Sequence, residues 1–592
     1  MFNHRLDQKK QSGKGFALLV LLVLFFQNTF SQGFLKTSGT KIVNEKGENV
    51  LLRGIGLGGW MLQEGYMLKI NKESQQYRIR ERMEELVGPK QTEAFYDAWL
   101  ANYTRKIDVD SMKRWGFNSI RLPMHYNLYT LAVDKEPVEG QNTWLEKGFA
   151  LTDSLLAWCK ANQMYLILDL HAAPGGQGND VNIADRDPSK PYLWTSEANQ
   201  QKTIALWKKL AERYKDEPYI AAYDILNEPN YGFQNPQEDK NGTKEKLNAP
   251  LRKLMVEITE AIRSVDQKHI IIIEGNGWGN NYNGIFPVWD KNMVLSYHKY
   301  WNYNDQSAIA HIIKAREEQQ VPVWLGETGE NSNVWFTDAI RLLEKNNIGW
   351  AWWPLKKIGN NNPMEIRSNP NYDALVKYFN TGGTKPKESN VYNGLMQLAN
   401  DTKLENTIIH RDVIDAMIRQ PFSTETKPFK VHWIQDKSVI YAVDYDLGRN
   451  GWAYFDLDTA DYHVSTNKRS AGNRGRIYRN DGVDILRDSS QKEKFYVSHI
   501  EKGEWLQYMV SSKAKASYSL SINAASALTS SKLSVFVNGV AIARQIAVPA
   551  TGSLKNFKSF QVGKLTLKAG QNVIRVVTDT GGYNFSYIQF IK

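Results

Sequence analysis

The sequence predicts a (β/α)8 barrel followed by an all-β sandwich. Three observations carry that prediction. Eight apolar, strand-like runs alternate with helix-patterned segments between about 40 and 380, and two of those runs end in a glutamate flanked by turn residues. From about 431 onward the pattern changes to short alternating runs separated by Gly, Asn and Ser. Repeated β/α units imply a parallel sheet, whereas evenly spaced short strands imply an antiparallel sandwich.

The eight runs are 50–59, 117–124, 164–171, 220–229, 269–277, 293–300, 321–329 and 348–355. Between them, segments 144–161, 198–214, 251–265, 307–318 and 334–346 repeat apolar residues at spacings of three and four, the helical period. Thr-Gly-Gly-Thr-Lys-Pro-Lys (381–387) breaks the pattern, a helix is expected over 408–419, and 420–428 carries the composition of a linker. In the last 160 residues, 517–523, 532–537, 557–562 and 572–578 alternate, and Val-Asn-Gly-Val (537–540) is a hairpin signal. The expected organisation is therefore 1–31 as an export signal, 32–385 as the barrel, 386–430 as a helical extension and linker, and 431–592 as the sandwich.

The chain has 592 residues and a formal charge of +11, of which the first 31 residues contribute a net +3. The basic residues are spread along amphipathic segments with acidic neighbours, so no nucleic-acid footprint is expected. The N-terminus runs from a basic stretch through an apolar core (16–26) to Thr-Phe-Ser-Gln (29–32). That is the layout of a cleaved secretory signal rather than a membrane anchor. A secreted, extracellular or periplasmic location and a monomer without membrane insertion are the expectations. Cys159 is the single cysteine, so no disulfide forms within the chain. The 18 Trp and 29 Tyr suit stacking against sugar rings as well as packing of cores.

In a (β/α)8 barrel the chemistry sits at the C-terminal ends of the strands. The polar residues expected there are Arg121, His125, His171, Asn227, Glu228, His298, Tyr300, Glu327 and Trp353. Glu228 lies in Asp-Ile-Leu-Asn-Glu-Pro-Asn (224–230) and Glu327 in Val-Pro-Val-Trp-Leu-Gly-Glu-Thr-Gly-Glu (321–330). Two carboxyls across a cleft are what glycoside cleavage requires: one to protonate the leaving oxygen, one to supply negative charge on the opposite face. Arg121 beside one of them would keep it ionised. Asn227 can bond a sugar hydroxyl, His298 and Tyr300 share one face of a strand and can orient a carboxylate, and Trp353 offers a flat floor. The long polar loop 174–197 is expected to shape outer sugar subsites, and Trp278 and Trp301 are candidate stacking platforms.

These motifs make the region 40–380 resemble glycoside hydrolase family 5. The resemblance rests on Ile-Arg-Leu-Pro around Arg121, Asp-Leu-His ending in His171, Asn-Glu-Pro (227–229), His-Lys-Tyr (298–300), Leu-Gly-Glu ending in Glu327, and Trp-Ala-Trp-Trp ending in Trp353. It implies Glu228 as acid/base, Glu327 as nucleophile, retention of configuration and no cofactor. Arg-Gly-Ile-Gly-Leu-Gly-Gly-Trp (53–60) and Asp-Leu-His-Ala-Ala-Pro-Gly-Gly-Gln (169–177) look like the exo-β-1,3-glucanase branch. In that branch the position of Glu64 holds the terminal sugar, and Gly is usual where Ala172 stands. A β-glucan-type polysaccharide is the implied substrate. The alternatives on the same fold are a non-catalytic glycan-binding protein, a transglycosylase and a hydrolase of small β-glucosides.

The C-terminal region resembles carbohydrate-binding module family 6 through Tyr-Asp-Leu-Gly (445–448), Ala-Tyr-Phe-Asp (453–456), Tyr-Arg-Asn-Asp-Gly-Val-Asp (478–484), Gly-Glu-Trp-Leu-Gln-Tyr (503–508) and Gly-Tyr-Asn-Phe-Ser-Tyr-Ile (582–588). The resemblance implies sugar binding through Asn584, with His499 and Leu554 at positions where that family places aromatic residues. Its structural calcium usually rests on Glu-Ala-Glu-x-Tyr; here Tyr441, Val443 and Tyr445 leave both carboxylates missing, which argues against the ion.

Overall fold

A computed structural model describes residues 33–457, 474–489 and 494–592, so the expected signal over 1–31 lies outside the described residues. A hairpin of β1 (Lys36–Ser38) and β2 (Lys41–Val43) leads into the barrel. The barrel strands are β3 (Arg53–Gly56), β4 (Ser119–His125), β5 (Tyr165–Ala172), β6 (Ile220–Asp224), β7 (Ile270–Glu274), β8 (Met293–Lys299), β9 (Val323–Gly329) and β10 (Gly349–Trp353). They pair in parallel and in chain order, and β10 closes on β3. Six fall inside the eight apolar runs and β4 and β5 each overrun theirs by one residue, and the (β/α)8 barrel read from the sequence is the fold observed. Strands β4 to β10 are buried at every residue, which explains why their sequences lack alternation.

The surrounding helices are α1 (Gln76–Tyr103), α2 (Lys106–Trp115), α3 (Glu146–Ala161), α4 (Glu197–Tyr214), α5 (Ala249–Arg263), the single irregular turn α6 (Asn276–Gly279), α7 (Ala310–Gln319) and α8 (Asn333–Lys345). Helix α5 shows how the pattern works: Leu251, Leu254, Met255, Ile258 and Ile262 are its buried stripe. At the start of α8 the Ser332 hydroxyl accepts from the Trp335 N–H at 3.2 Å, satisfying one of the free amides of the first turn. Cys159 is buried in α3. Helix α1 was not read from the sequence; it breaks at Gly88 (φ +79°), just before Pro89, which cannot continue the hydrogen-bond ladder.

One mouth of the barrel is plugged. Leu35, Ile42 and Leu52 pack with Tyr165, Ile167, Ile270, Ile272, Val294 and Trp324 from the starts of the strands. The opposite, C-terminal mouth is thereby left for chemistry. Beyond the barrel, β11 (Lys356–Lys357), β12 (Met364–Glu365) and β13 (Ile408–Ile409) form a small sheet; α9 (Pro370–Thr381) and α10 (Glu388–Asp401) pack on each other and α10 on α1, while α11 (Arg411–Ile418) packs on α8.

The C-terminal region is a sandwich of two antiparallel sheets. One holds β14 (Val439–Tyr441), β16 (Ile485–Arg487), β17 (Phe495–Val497), β19 (Ala516–Ser526), β22 (Lys558–Leu567) and β24 (Tyr583–Ile591). The other holds β15 (Tyr454–Phe455), β18 (Trp505–Ser512), β20 (Lys532–Val537), β21 (Val540–Ala547) and β23 (Gly570–Thr580). The hairpin read at 537–540 is present: Val537 pairs with Val540 across Asn538 (φ +49°) and Gly539 (φ +82°). The sandwich has its own core, which includes Tyr445, Tyr508, Leu520, Ile522, Ile574 and Phe590.

Candidate active site

The strand ends converge on Arg121, which is fully buried on β4. Its guanidinium meets Glu327 Oε1 at 2.5 Å, Asp224 Oδ2 at 2.8 Å, Asp169 Oδ2 at 3.2 Å and Glu274 Oε1 at 3.2 Å, and donates to Asn227 Oδ1 at 2.8 Å. One cation thus ties together the ends of β5, β6, β7 and β9. Four opposing carboxyls hold Arg121 charged, although burial works against it.

Glu228 lies past the end of β6 in the left-handed region (φ +45°), an unusual and strained conformation for a glutamate. Its N–H donates to Glu274 Oε2 at 2.8 Å, and its C=O accepts from Asn230 Nδ2 at 2.9 Å. Its Oε1 sits 2.6 Å from His298 Nδ1. Glu327 is bound at both oxygens, by Arg121 at Oε1 and by the Tyr300 hydroxyl at Oε2, 2.9 Å away. His298 lies between the two glutamates, 3.6 Å from Glu327 Oε2 and 3.2 Å from Glu274. Glu228, His298 and Glu327 bring one ligand-type atom each within 4.8 Å of the others. This is the one such His/Cys/Asp/Glu group among the described residues. Its carboxylates are already bonded to the Arg121 cation, the Tyr300 hydroxyl and the imidazole, a donor set that suits proton transfer better than a metal ion.

The two glutamates differ electrostatically. Burial, with the charges of Glu327 and Glu274, pushes Glu228 above the usual carboxylate range against the pull of His298. Burial acts the same way on Glu327, but His298, Arg121, His171 and the Tyr300 hydrogen bond outweigh it and leave Glu327 below its usual value. Six buried carboxyls (Glu64, Asp169, Asp224, Glu228, Glu274, Glu327) face three cationic groups (Arg121, His171, His298), so not all six can ionise. Burial weighs most on two of them: Asp224 is raised well above its usual value and Asp169 is raised, and each has an Oδ1 without a hydrogen-bond partner.

His171 stands on the far side of Glu327. Burial opposes its imidazolium, but Asp169 at 2.8 Å, helped by Glu64 and Glu327, lifts it to about 10. Its Nε2 faces Glu64 at 3.5 Å and Asn227 Nδ2 at 3.4 Å. Glu64 is pushed up to about 7, chiefly by burial. The Trp353 ring stacks on the His171 imidazole, with centroids 5.1 Å apart and planes within 6°, and its Nε1 donates to the Tyr66 hydroxyl at 2.9 Å. One face of Trp353 is therefore already covered. Gly56 and Gly58 of the first strand and its following turn make room for it: a Cβ at Gly58 would stand 2.5 Å from the ring.

The structure gathers Arg121, His171, Asn227, Glu228, His298, Tyr300, Glu327, Trp353 and Glu64 in one cluster, but not His125. The register between β4 and β5 shifts between Met124 and His125, and His125 turns away to Asp185 of loop 174–197, with Nε2 2.9 Å from Oδ2. It lines an adjoining cavity of about 410 Å³ instead, together with Tyr77, Asp185 and Lys190. The loop itself is tied down by Gln177, whose Nε2 donates to the carbonyls of His171 and Asn227, while Trp194 Nε1 donates to Gln177 O. Trp301 is 67% exposed and Trp278 half-buried. Glu274, Asp224 and Asp169 were not singled out from the sequence. Each is an acidic residue inside or at the end of an apolar strand, and that was the signal available.

In the C-terminal module, Asn584 is buried and donates through Nδ2 to Leu554 O at 2.8 Å, which turns its amide toward the fold. His499 (φ +52°) is partly exposed, with Nδ1 3.0 Å from Ser498 Oγ.

This barrel, with paired carboxyls at its mouth, is that of a glycosidase acting on O-glycosyl compounds. Residues 81–359 match the family model "Cellulase (glycosyl hydrolase family 5)", and residues 479–590 match "Carbohydrate binding module (family 35)". The chain thus carries a family 5 glycosyl hydrolase domain and a family 35 module. The module's likeness to family 6 is corrected by that match, in line with an Asn584 turned inward and neither a Tyr at 499 nor a Trp at 554.

Among curated proteins, the chain is 26% identical over 383 residues to a beta-xylosidase of Phanerodontia chrysosporium, covering 58% of this chain and 75% of the relative. It is 27% identical over 292 residues to a glucan 1,3-beta-glucosidase of Candida oleophila, covering 45% of this chain and 62% of the relative. It is 23% identical over 370 residues to endoglucanase C of Acetivibrio thermocellus, covering 52% of this chain and 91% of the relative.

Proposed function

We propose that this protein is an exported, retaining β-glycosidase that cleaves a β-glucan-type polysaccharide by double displacement. The observation that carries the reading is the Glu228–Glu327 pair, with oxygens within 4.8 Å and acidities pushed in opposite directions. Retaining enzymes hold their carboxyls about 5–5.5 Å apart, inverting enzymes about 6.5–9.5 Å. In the first step Glu327 attacks the anomeric carbon while protonated Glu228 gives its proton to the departing oxygen. In the second, Glu228, now a carboxylate, takes a proton from water as that water displaces Glu327 and restores both groups.

With His171 held as imidazolium, its Nε2–H and the Asn227 amide are two donors 3.4 Å apart that cannot satisfy each other. The His171 Nε2–H has Glu64 at 3.5 Å as its acceptor, and a sugar hydroxyl lying between Asn227 and Glu64 would supply one to the Asn227 amide. Glu64, at the position that holds the terminal sugar in the exo-β-1,3-glucanase branch, supports exo action. The glucan 1,3-beta-glucosidase and endoglucanase names among the relatives favour a glucan. No cofactor enters either step. Export rests on the signal-like sequence of residues 1–31.

The test is Glu228→Gln. Loss of general-acid assistance should cost about 10²–10⁴-fold in kcat/KM on β-glucans, with far less loss of kcat/KM on a dinitrophenyl β-glucoside, whose leaving group needs no proton; its kcat should still fall, because Glu228 is the base of the second step. Unchanged β-glucan turnover would remove Glu228 from the acid role, and a glycan panel that gave activity on small glucosides alone would overturn the polysaccharide reading.

A further inference from the structure

The sandwich does not hang from the barrel as a tethered appendage. Its loop Arg479–Asn480–Asp481, ahead of β16, is buried against the barrel at 1%, 0% and 1% exposure. The loop is pre-shaped within the module: Arg479 donates to Asp481 Oδ2 at 2.6 Å and to Tyr445 O at 2.6 Å, and its guanidinium lies 4.0 Å from the centroid of the Tyr445 ring. Asn480 then uses its polar groups on the barrel. Its N–H donates to Asp412 Oδ2 at 2.7 Å, its C=O accepts from the Asn333 N–H at 2.9 Å, and its Nδ2 donates to Asn331 O at 2.8 Å.

Asn331 lies four residues beyond Glu327. Its Nδ2 donates to Tyr300 O at 3.3 Å, and the Tyr300 hydroxyl donates to Glu327 Oε2 at 2.9 Å. A chain of hydrogen bonds thus runs from the sandwich to one oxygen of Glu327. A second loop of the same mouth is held as well: Asn360, which follows Trp353 by seven residues, donates to Arg479 O at 3.1 Å. Strand-end groups need fixing to within a fraction of an ångström, and loops after strands are the least constrained parts of a barrel.

We propose that Asn480 of the C-terminal module is a positioning residue of the glycosidase reaction, fixing Tyr300 and through it Glu327 by way of Asn331. The proposal rests on Glu327 being the nucleophile. The module then contributes to turnover itself, including turnover of substrates too small to touch any sugar site of its own.

The experiment uses the full chain and dinitrophenyl β-glucoside as the probe. Asn480→Ala should lower kcat by about tenfold or more with KM little changed. The acidic limb of kcat/KM should move to higher pH, because a loosened Tyr300 bond stabilises the Glu327 carboxylate less. Asn480→Asp, the same size but without the Nδ2–H, should show the same shift if Asn480→Ala unfolds. Asn331→Asp, which removes the next donor in the chain, should give a loss that does not add to that of either Asn480 variant. Wild-type kcat and an unmoved acidic limb in folded Asn480→Asp, or fully additive losses, would overturn the proposal. Glu327→Ala separates the two readings: if it stays active, the nucleophile assignment has failed; if it is inactive while both Asn480 variants behave as wild type, the positioning role alone has failed.

Discussion

His298→Gln is a sharp perturbation of the proposed chemistry, because one buried imidazolium faces both working carboxyls. Its Nδ1 lies 2.6 Å from Glu228 Oε1 and 3.6 Å from Glu327 Oε2, and the charges of Glu274, Glu327 and Glu228 outweigh burial and raise it well above its usual value. Unit charges about 4 Å apart interact by about 4 kcal/mol at an effective dielectric of about 20. Even a quarter of that, about 1 kcal/mol, moves a titration by about 0.7 pH unit. The signs follow from the two roles. Activity requires Glu228 protonated, so the alkaline limb follows its release of a proton; it requires Glu327 ionised, so the acidic limb follows its uptake of one. Removing a neighbouring positive charge makes both carboxyls hold their protons more tightly. Both limbs of kcat/KM against pH should therefore move to higher pH, with a lower maximum. Glutamine can still bond Glu228, which limits the loss of orientation. A curve that only drops in height, or whose limbs move to lower pH, would refute the electrostatic account.

Two further substitutions probe the frame rather than the chemistry. Gly58→Ala places a methyl 2.5 Å from the Trp353 ring; overpacking of this kind costs about 1–3 kcal/mol, and displacing the ring should lower kcat/KM by about tenfold, measured by steady-state kinetics on a β-glucan. Gly539→Ala at the tip of the module hairpin meets nothing within 4 Å, so its φ of +82° alone should cost about 1 kcal/mol, read by denaturant unfolding, with activity on a small glucoside unchanged.

The barrel was legible because doubly buried parallel strands leave continuous apolar runs, and turn residues punctuate their ends. The glutamates were legible for the same reason: each lies near the end of such a run. The hub around Arg121 was harder to see. Asp169, Asp224 and Glu274 look in sequence like any acidic residue in or at the end of a strand, and only closure of the barrel shows that all three aim at one guanidinium. His125 was misplaced because a register shift at the end of β4 changes which neighbours it meets, and strand parity cannot foresee that. The docking of Asn480 was hidden altogether, since it joins residues 149 positions apart through hydrogen bonds that leave no periodic trace. The same blindness affected Asn584, whose inward amide is set by the Leu554 carbonyl 30 residues away.

The central claim is that Glu327 becomes covalently glycosylated while Glu228 shuttles the proton. Trapping with a 2-deoxy-2-fluoro-β-glucosyl donor bearing a good leaving group, followed by peptide mapping, tests it most directly. The account predicts a single adduct on Glu327, formed in the wild type and absent in Glu327→Ala. A label on any other residue would contradict it, and so would turnover of the donor with inversion and no adduct.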